Sequence, residues 1–147
     1  MKIFLILILF SSLYSIDEIK YSIVVGALSR VTDSFSVRFN KKEGIKAEYE
    51  QLRNDFDISQ KRKGKKLYNL TCEELGLPSL KTLFKQFDKI KFPNETNWTI
   101  EGLFDVPTWN LYVDDKHYYS NGRTEFLEDF SNIVNLTNIK RYCISKY

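Results

Sequence analysis

Residues Asn97–Phe126, NWTIEGLFDVPTWNLYVDDKHYYSNGRTEF, form the stretch that decides the fold. Within it, Thr108–Val113 alternates apolar and polar side chains, as is typical of a half-buried strand. Asp114–Asp115 predicts a turn, after which the chain returns over His117–Phe126. An earlier strand is predicted around Trp98, before a corner rich in turn-forming residues. The stretch therefore predicts an antiparallel core of three strands.

Further strands are predicted in the first half of the chain. Lys20–Ser29 is rich in β-branched and aromatic residues. Ser34–Asn40 and Ile45–Glu50 alternate strictly between apolar and polar side chains, and Lys41–Gly44 between them predicts a turn. Leu52–Ser59 is either a further strand or irregular. About six short strands separated by turns favour a β-sandwich.

The spacing of apolar residues changes between Asn69 and Ile90. Apolar residues recur there at helical spacing, at Leu80, Leu83, Phe84, Phe87 and Ile90. This spacing predicts a short amphipathic helix at about Leu80–Lys89, with its apolar side packed on the strands. Docking to a partner is the less common use of such a helix. Near the C-terminus, Ile139–Ile144 is predicted to be a last strand that carries Cys143.

The first residues resemble a secretory signal peptide. Lys2 supplies a positive charge, Ile3–Phe10 is wholly apolar, and small residues follow as far as Ser15. The apolar run is shorter than the ~20 residues that span a bilayer, so a cleaved signal is favoured over an anchor. We predict cleavage after Ser15, a domain over 16–147, secretion, and no membrane span in the mature chain.

The two cysteines, Cys72 and Cys143, are predicted to form a disulfide. An even number of cysteines suggests a pair in an oxidising compartment. The bridge would close a loop of roughly 70 residues and contribute about 4 kcal/mol in the chain-entropy model. The alternative is two buried free thiols.

Four Asn-x-Ser/Thr tripeptides are candidate N-glycosylation sites. They begin at Asn69, Asn94, Asn97 and Asn135, and none has proline in the middle. Glycans require exposed acceptors, so these positions are predicted to lie on the surface.

The corner around Trp109 resembles that of fibronectin type III-like domains. In those domains a Gly-Leu pair is followed by a Pro/Thr corner and an aromatic residue that begins the next strand. Gly102-Leu103, Pro107-Thr108 and Trp109 match this order. The chain departs from the pattern because the proline comes later and Trp109 replaces a tyrosine. The usual hydroxyl bond is therefore lost unless the indole N–H finds another acceptor.

A narrower resemblance concerns the β-sandwich that precedes the catalytic domain of PhoD-like and purple acid metallophosphatases. Three segments resemble it: Val24–Ala27, Thr32–Phe39, and Gly122–Phe126 as its exit strand. The likeness covers roughly 20–50 and 97–126, with 60–92 resembling an insertion. It implies a fold without the catalytic domain, whose Asp, His and Asn metal ligands would lie downstream.

The sequence offers little catalytic chemistry. Its single histidine, His117, is too few for a two-metal site. A Ser-His-Asp arrangement would need His117 with Asp114 or Asp115, and these residues are better interpreted as a turn. We predict no catalytic residues, no cofactor and no metal. The 22 Lys and Arg against 19 Asp and Glu also disfavour a nucleic-acid-binding protein.

Two surface features have competing interpretations. Lys61–Lys66 is a basic run that suggests a solvated hairpin loop, a patch for heparin-like or phosphate groups, or a dibasic processing site. Tyr112, Tyr118 and Tyr119 either pack across strands or form an exposed patch for carbohydrate or protein.

The sequence thus predicts a secreted, glycosylated, disulfide-bonded and mainly β protein. The predicted fold is an immunoglobulin or fibronectin III-like antiparallel sandwich, with a short inserted helix and a non-catalytic binding or accessory role. The alternative is the truncated N-terminal module of a PhoD-like metallophosphatase or phosphodiesterase.

Overall fold

The computed structural model of the chain describes residues 14–25, 31–54, 63–101 and 106–147. The strands are β1 Glu18–Val24, β2 Val31–Asn40, β3 Gly44–Asn54, β4 Lys66–Leu70, β5 Asn97–Trp98, β6 Thr108–Val113 and β7 Lys116–Ser120. The helices are α1 Leu80–Phe87, α2 Glu125–Val134 and α3 Leu136–Lys146. The strands form one sheet in the order β4-β3-β2-β1-β6-β7-β5. The first and second halves of the chain therefore meet where β1 pairs with β6.

The sheet is antiparallel except at its short edge strand, where β5 runs parallel to β7. On β1, Tyr21 lies opposite Val37 on one side and Leu111 on the other. All three side chains are buried, and residues two positions away along each strand face the same way. The alternation seen in the sequence thus becomes one apolar face shared by neighbouring strands.

Three helices cover that apolar face. They contribute buried residues to it as follows: Leu83, Phe84 and Phe87 from α1; Phe126, Phe130 and Val134 from α2; Leu136, Ile139 and Cys143 from α3. At the centre, the Phe39 ring on β2 lies edge-on to Phe87 and Phe130, with ring centroids 5.7 and 6.0 Å apart. The sheet and all three helices therefore share one core.

The predicted mainly β class and the inserted helix are confirmed. The helix begins at Leu80, where the Ser79 side chain accepts a hydrogen bond from the Thr82 N–H at 3.3 Å, and ends at Phe87. All the described strands lie in one sheet, and the layer packed on it is helical where the sandwich hypothesis expected a second sheet. A layer of helices can bury the apolar face of a sheet just as a second sheet can.

The prediction of a last strand at Ile139–Ile144 is wrong, because these residues lie in α3. The buried residues Leu136, Ile139 and Cys143 recur at intervals of three and four, which is the period of a helix. Asn135, with φ of 53°, ends α2 in the left-handed conformation, and its side chain caps α3 through the Asn138 N–H at 3.2 Å. The same residue thus separates two helices that meet at an angle.

The predicted exit strand at Gly122–Phe126 is also wrong. Strand β7 ends at Ser120, and α2 begins at Glu125 after the extended residue Thr124. Glu125 and Glu128 lie in the first turn of α2, where negative charge is favoured by the helix dipole. Helical packing of Phe126 into the core therefore replaces the strand that the resemblance implied.

The segment predicted as an insertion, 60–92, contributes a strand that the sequence pattern did not indicate. Strand β4 pairs with β3, with Leu70 opposite Ile45. Thr71 and Glu74, which follow it, make the reciprocal bonds of a capping box: the Thr71 N–H donates to Glu74 Oε2 at 2.8 Å and the Glu74 N–H donates to Thr71 Oγ1 at 3.2 Å. They close a turn and not a helix. Gly76, with φ of 64°, ends this turn.

Trp109 is buried as predicted, with 4% of its surface exposed. Its indole N–H donates a hydrogen bond to the backbone oxygen of Gly122 at 2.6 Å. The indole has thus found an acceptor in place of the hydroxyl bond of a tyrosine corner.

Several predictions fall on residues that the structure does not describe. They are the leader up to residue 13, the Gly102-Leu103 part of the corner, Gly26 and Ala27 of the phosphatase-like segment, and residues 55–62. Within the described ranges, none of the helices has the length and apolar character needed to cross a bilayer.

Candidate functional site

The face of the sheet opposite the helices is open, and its residues form the candidate site, here called the open face. Its residues at the centre of the sheet fall into two cross-strand rows: Lys46, Arg38, Lys20, Tyr112 and His117; and Glu48, Ser36, Ser22, Asn110 and Tyr119. All ten side chains are half-buried or exposed, because successive residues of a strand point to opposite faces. The open face is thus polar, with aromatic side chains at one end.

An aromatic cluster lies at the β6–β7 end of the open face. The Tyr112 and His117 rings stack with centroids 4.3 Å apart and planes 3° apart. Tyr119 lies beside His117 with ring centroids 5.5 Å apart. His117 Nε2 lies 2.8 Å from Asn110 Oδ1, which orients the imidazole ring. We call Asn110, Tyr112, His117 and Tyr119 the aromatic cluster.

The turn between β6 and β7 sets the register that builds this cluster. Asp114 and Asp115 form a two-residue turn, and Asp114 adopts a positive φ of 51°. This turn places Tyr112 opposite His117 and Asn110 opposite Tyr119. A shift of one residue would send these side chains to the core, so the turn determines the site.

Of the two alternatives for Tyr118, packing in the core is the one that the structure shows, and Tyr118 is not part of an exposed patch. Its side chain is fully buried, and its hydroxyl donates to the backbone oxygen of Pro93 at 3.2 Å. Because β7 alternates, His117 and Tyr119 face outward while Tyr118 faces inward. This alternation is the feature of the sequence that places His117 on the open face.

Charges on the open face are largely paired with opposite charges. Arg38 pairs with Glu43 and lies 3.6 Å from Glu18, Nε to Oε2. Lys46 Nζ lies 2.9 Å from Glu43 Oε2. At the β4 side, Lys65 Nζ lies 3.5 Å from Glu48 Oε2. The open face therefore presents both charge signs and no strong field of one sign.

Asp114 has a structural role at the turn. Its Oδ1 accepts hydrogen bonds from the N–H groups of Asp17 and Glu18 at 3.0 and 2.9 Å, and its Oδ2 accepts from the Tyr14 hydroxyl at 2.8 Å. That hydroxyl bond to Asp114, together with desolvation, raises the pKa of Tyr14 to about 12. The side chain of His117 forms its hydrogen bond with the amide of Asn110 and not with a carboxylate. Asp114 and His117 therefore do not form the Ser-His-Asp arrangement that the sequence left open.

Two lysines of the basic run, Lys63 and Lys66, form hydrogen bonds with the last residues of the chain. Lys63 Nζ donates to the backbone oxygen of Tyr147 at 3.3 Å, and Lys66 Nζ donates to that of Lys146. Lys63 Nζ also lies 5.4 Å from the centre of the Tyr147 ring. These contacts favour a structural role for the described lysines near the end of α3, where positive charge complements the helix dipole.

Cys72 and Cys143 are both free thiols in this structure, so the predicted disulfide is not formed here. Cys143 is fully buried on α3, and Cys72 is half-buried and packs against the same core. Their segments meet, since the Tyr68 hydroxyl donates to the Cys143 backbone oxygen at 3.0 Å and the Tyr142 hydroxyl donates to Glu74 Oε1 at 3.3 Å. Burial raises the pKa of the Cys143 thiol to about 11, which suppresses its reactivity.

All four candidate glycosylation asparagines are exposed, as predicted. Asn69 lies on edge strand β4 opposite Lys46, and Asn97 lies on edge strand β5 opposite Tyr119. These two therefore lie at opposite edges of the open face. Asn94 lies in the loop before β5, and Asn135 lies between α2 and α3 on the helical side.

Within the described ranges, no group of three or more His, Cys, Asp or Glu side chains is placed to hold a metal ion. The open face, with its aromatic cluster, is the feature that offers most to a ligand.

Comparison with known proteins does not identify a family. No family model matches the sequence, and no curated protein or solved structure matches it.

Proposed function

We propose that this protein is a secreted, non-catalytic binding module whose open face recognises carbohydrate. The aromatic cluster carries the proposal. Carbohydrates are held in proteins by aromatic rings that pack on their C–H faces and by amide and hydroxyl groups that bond to their hydroxyls. Tyr112, His117 and Asn110 supply these groups within one small area.

The polarity of the surrounding face favours carbohydrate over a protein partner. The fully buried centre of a protein interface is depleted of charged residues. Here the middle of the open face carries Lys20, Arg38 and Glu48, with Ser22 and Ser36 between them. Its exposed apolar side chains are scattered singly, at Val24 and Leu67, and do not form a patch.

The charge balance favours a neutral ligand over a polyanion. Arg38, Lys46 and Lys65 each lie within ion-pair distance of a glutamate. Binding to a nucleic acid or a sulfated glycan requires a basic excess, because neutralising many anionic groups supplies most of the affinity. A neutral sugar needs hydrogen-bonding partners of both kinds, and this face has them.

The test is binding of the secreted protein to an array of neutral and acidic glycans, followed by titration calorimetry with the best ligand. Tyr112→Ala and His117→Ala are expected to weaken binding about tenfold each, the upper range for loss of one aromatic contact. Tyr142→Ala, on the helical side of the sheet, is the matched control and should bind as the wild type does. Circular dichroism confirms that each variant is folded.

Asn97→Gln is needed beside these variants, because a glycan at Asn97 would begin next to Tyr119. That variant should bind external glycan as well as the wild type or better. The absence of binding to any glycan by wild type and Asn97→Gln would overturn the carbohydrate proposal. If Tyr112→Ala and His117→Ala bind the glycan as tightly as the wild type does, the aromatic cluster is not the binding site.

A further inference from the structure

The chain becomes anchored to the fold at Ile16. Tyr14 is 67% exposed and Ser15 is exposed, whereas Ile16 is 3% exposed and belongs to the core. The Ile16 N–H donates a hydrogen bond to Asp88 Oδ1 at 2.9 Å. The next two N–H groups, of Asp17 and Glu18, both donate to Asp114.

The boundary between exposed and anchored chain coincides with the bond at which the sequence predicts signal-peptide cleavage. Tyr14 and Ser15 make contacts at the surface, and Ile16 is the first of the described residues to bury its side chain. The atom that cleavage would convert into a charged group is the Ile16 nitrogen. That atom already lies within hydrogen-bond distance of a carboxylate.

We propose that hydrolysis of the Ser15–Ile16 peptide bond makes Ile16 the mature N-terminus, and that its α-ammonium group forms an ion pair with Asp88. A peptidase of the secretory membrane adds water across the bond: the hydroxyl goes to the Ser15 carbonyl carbon and a proton to the Ile16 nitrogen. The new amine takes up a second proton from solvent at neutral pH, since free α-amino groups have a pKa of about 8. The neutral hydrogen bond to Asp88 thus becomes a charge-assisted one.

The fold holds Asp88 in place for this role. Asp88 caps the C-terminus of α1, and its N–H donates to the backbone oxygen of Phe84 at 3.0 Å. Leu83, Phe84 and Phe87 fix α1 in the core, so the carboxylate is presented at a defined position. The positive charge at Ile16 also complements the negative end of the α1 dipole.

The same cleavage enlarges a neighbouring cleft. A cleft of about 520 Å³ is lined by Tyr14, Ile16, Asp88 and residues of the β6–β7 side, including Val113 and Tyr118. Removal of Tyr14 takes away one wall of it. Removal also releases Asp114 Oδ2 from the Tyr14 hydroxyl. Maturation therefore leaves a cleft lined by both apolar and charged side chains, with the Ile16 ammonium group and Asp88 at its edge.

The first test is N-terminal sequencing and intact mass of protein secreted with its own leader. Ile16 is the expected first residue, and any other N-terminus would overturn the proposal. The second test measures how fast cyanate carbamylates the α-amine near neutral pH, where only the unprotonated amine reacts. Pairing with Asp88 favours the protonated form, so Asp88→Asn should accelerate the reaction about threefold, as expected for a partly exposed ion pair.

Asp115→Asn is the matched control, because Asp115 is exposed and lines the same cleft. It should leave the rate of carbamylation unchanged, and Asp88→Glu should restore most of the protection. Equal rates in wild type and Asp88→Asn would overturn the ion pair. If Asp88→Asn fails to fold, the wild-type rate is compared with that in guanidinium chloride, which unfolds the protein and does not generate cyanate. No acceleration there would equally overturn it.

Discussion

Lys140 Nζ lies 2.8 Å from Asp33 Oδ1, and this ion pair joins α3 to the covered face of β2. Asp33 is 7% exposed and faces the helices because it lies two residues before Phe35 on the same face of β2. The Tyr49 hydroxyl donates to its other oxygen at 3.3 Å. A buried carboxylate is stable only with such partners.

Replacement of Lys140 by methionine should destabilise the protein by about 2 kcal/mol, since it leaves a buried carboxylate short of one charged donor. The measurement is urea unfolding followed by tryptophan fluorescence. Arg141→Met, on the exposed side of α3, is the control and should change the free energy of unfolding by less than about 0.5 kcal/mol. An equal effect of the two substitutions would mean that the ion pair adds no net stability.

The hydrogen bond from Trp109 to Gly122 is expected to contribute about 1 kcal/mol. Replacement of Trp109 by 3-benzothienylalanine keeps the ring shape and removes the N–H donor, so it isolates this bond from packing. Urea unfolding should show the loss. The same replacement at half-buried Trp98 is the control, and a loss no greater at Trp109 would contradict the role of the bond.

We expect the ionisation of Tyr21 to lower the free energy of unfolding at alkaline pH. Burial raises the pKa of Tyr21 to about 12 from 10.0. The unfolded chain therefore loses this proton at lower pH than the folded protein does. The contribution of Tyr21 is fully present below pH 10 and is lost as pH rises through about 12.

Tyr21→Phe should flatten the fall in the free energy of unfolding from about pH 9 to about pH 11.5. Urea titrations across that range measure it. Tyr112→Phe, which removes one hydroxyl from an exposed tyrosine, is the matched control for the substitution itself. An unchanged slope in Tyr21→Phe would show that Tyr21 titrates alike in both states.

The disulfide between Cys72 and Cys143 stays a prediction for protein that has passed through an oxidising compartment. The contacts from Tyr68 and Tyr142 bring the two segments together, and an oxidising compartment supplies the chemistry. A non-reducing peptide map should find the two cysteines in one linked fragment. Free thiols in protein taken from the medium would contradict the disulfide, and α3 would then be joined to the segment around Cys72 by packing and by the hydrogen bonds of Tyr68 and Tyr142.

The sequence by itself determined the parts of the fold that depend on local periodicity. Strict alternation identified β2 and β6, because successive side chains of a strand face opposite ways. Helical spacing identified α1, and the Asp114–Asp115 turn identified the β6–β7 hairpin. These signals need no knowledge of distant residues.

Only the tertiary structure decided what covers the sheet and which face stays open. Residues 125–146 carry apolar residues at helical spacing, and it is the packing of these residues on distant parts of the chain, such as Phe130 on Phe39, that makes α2 and α3 the cover of the sheet. Strand β4 shows no alternation strong enough to predict it and exists because β3 offers an edge. The aromatic cluster requires the β6–β7 register, and the contact between Ile16 and Asp88 joins residues that are distant in sequence. Such pairings depend on chain topology, which periodicity within a short window cannot encode.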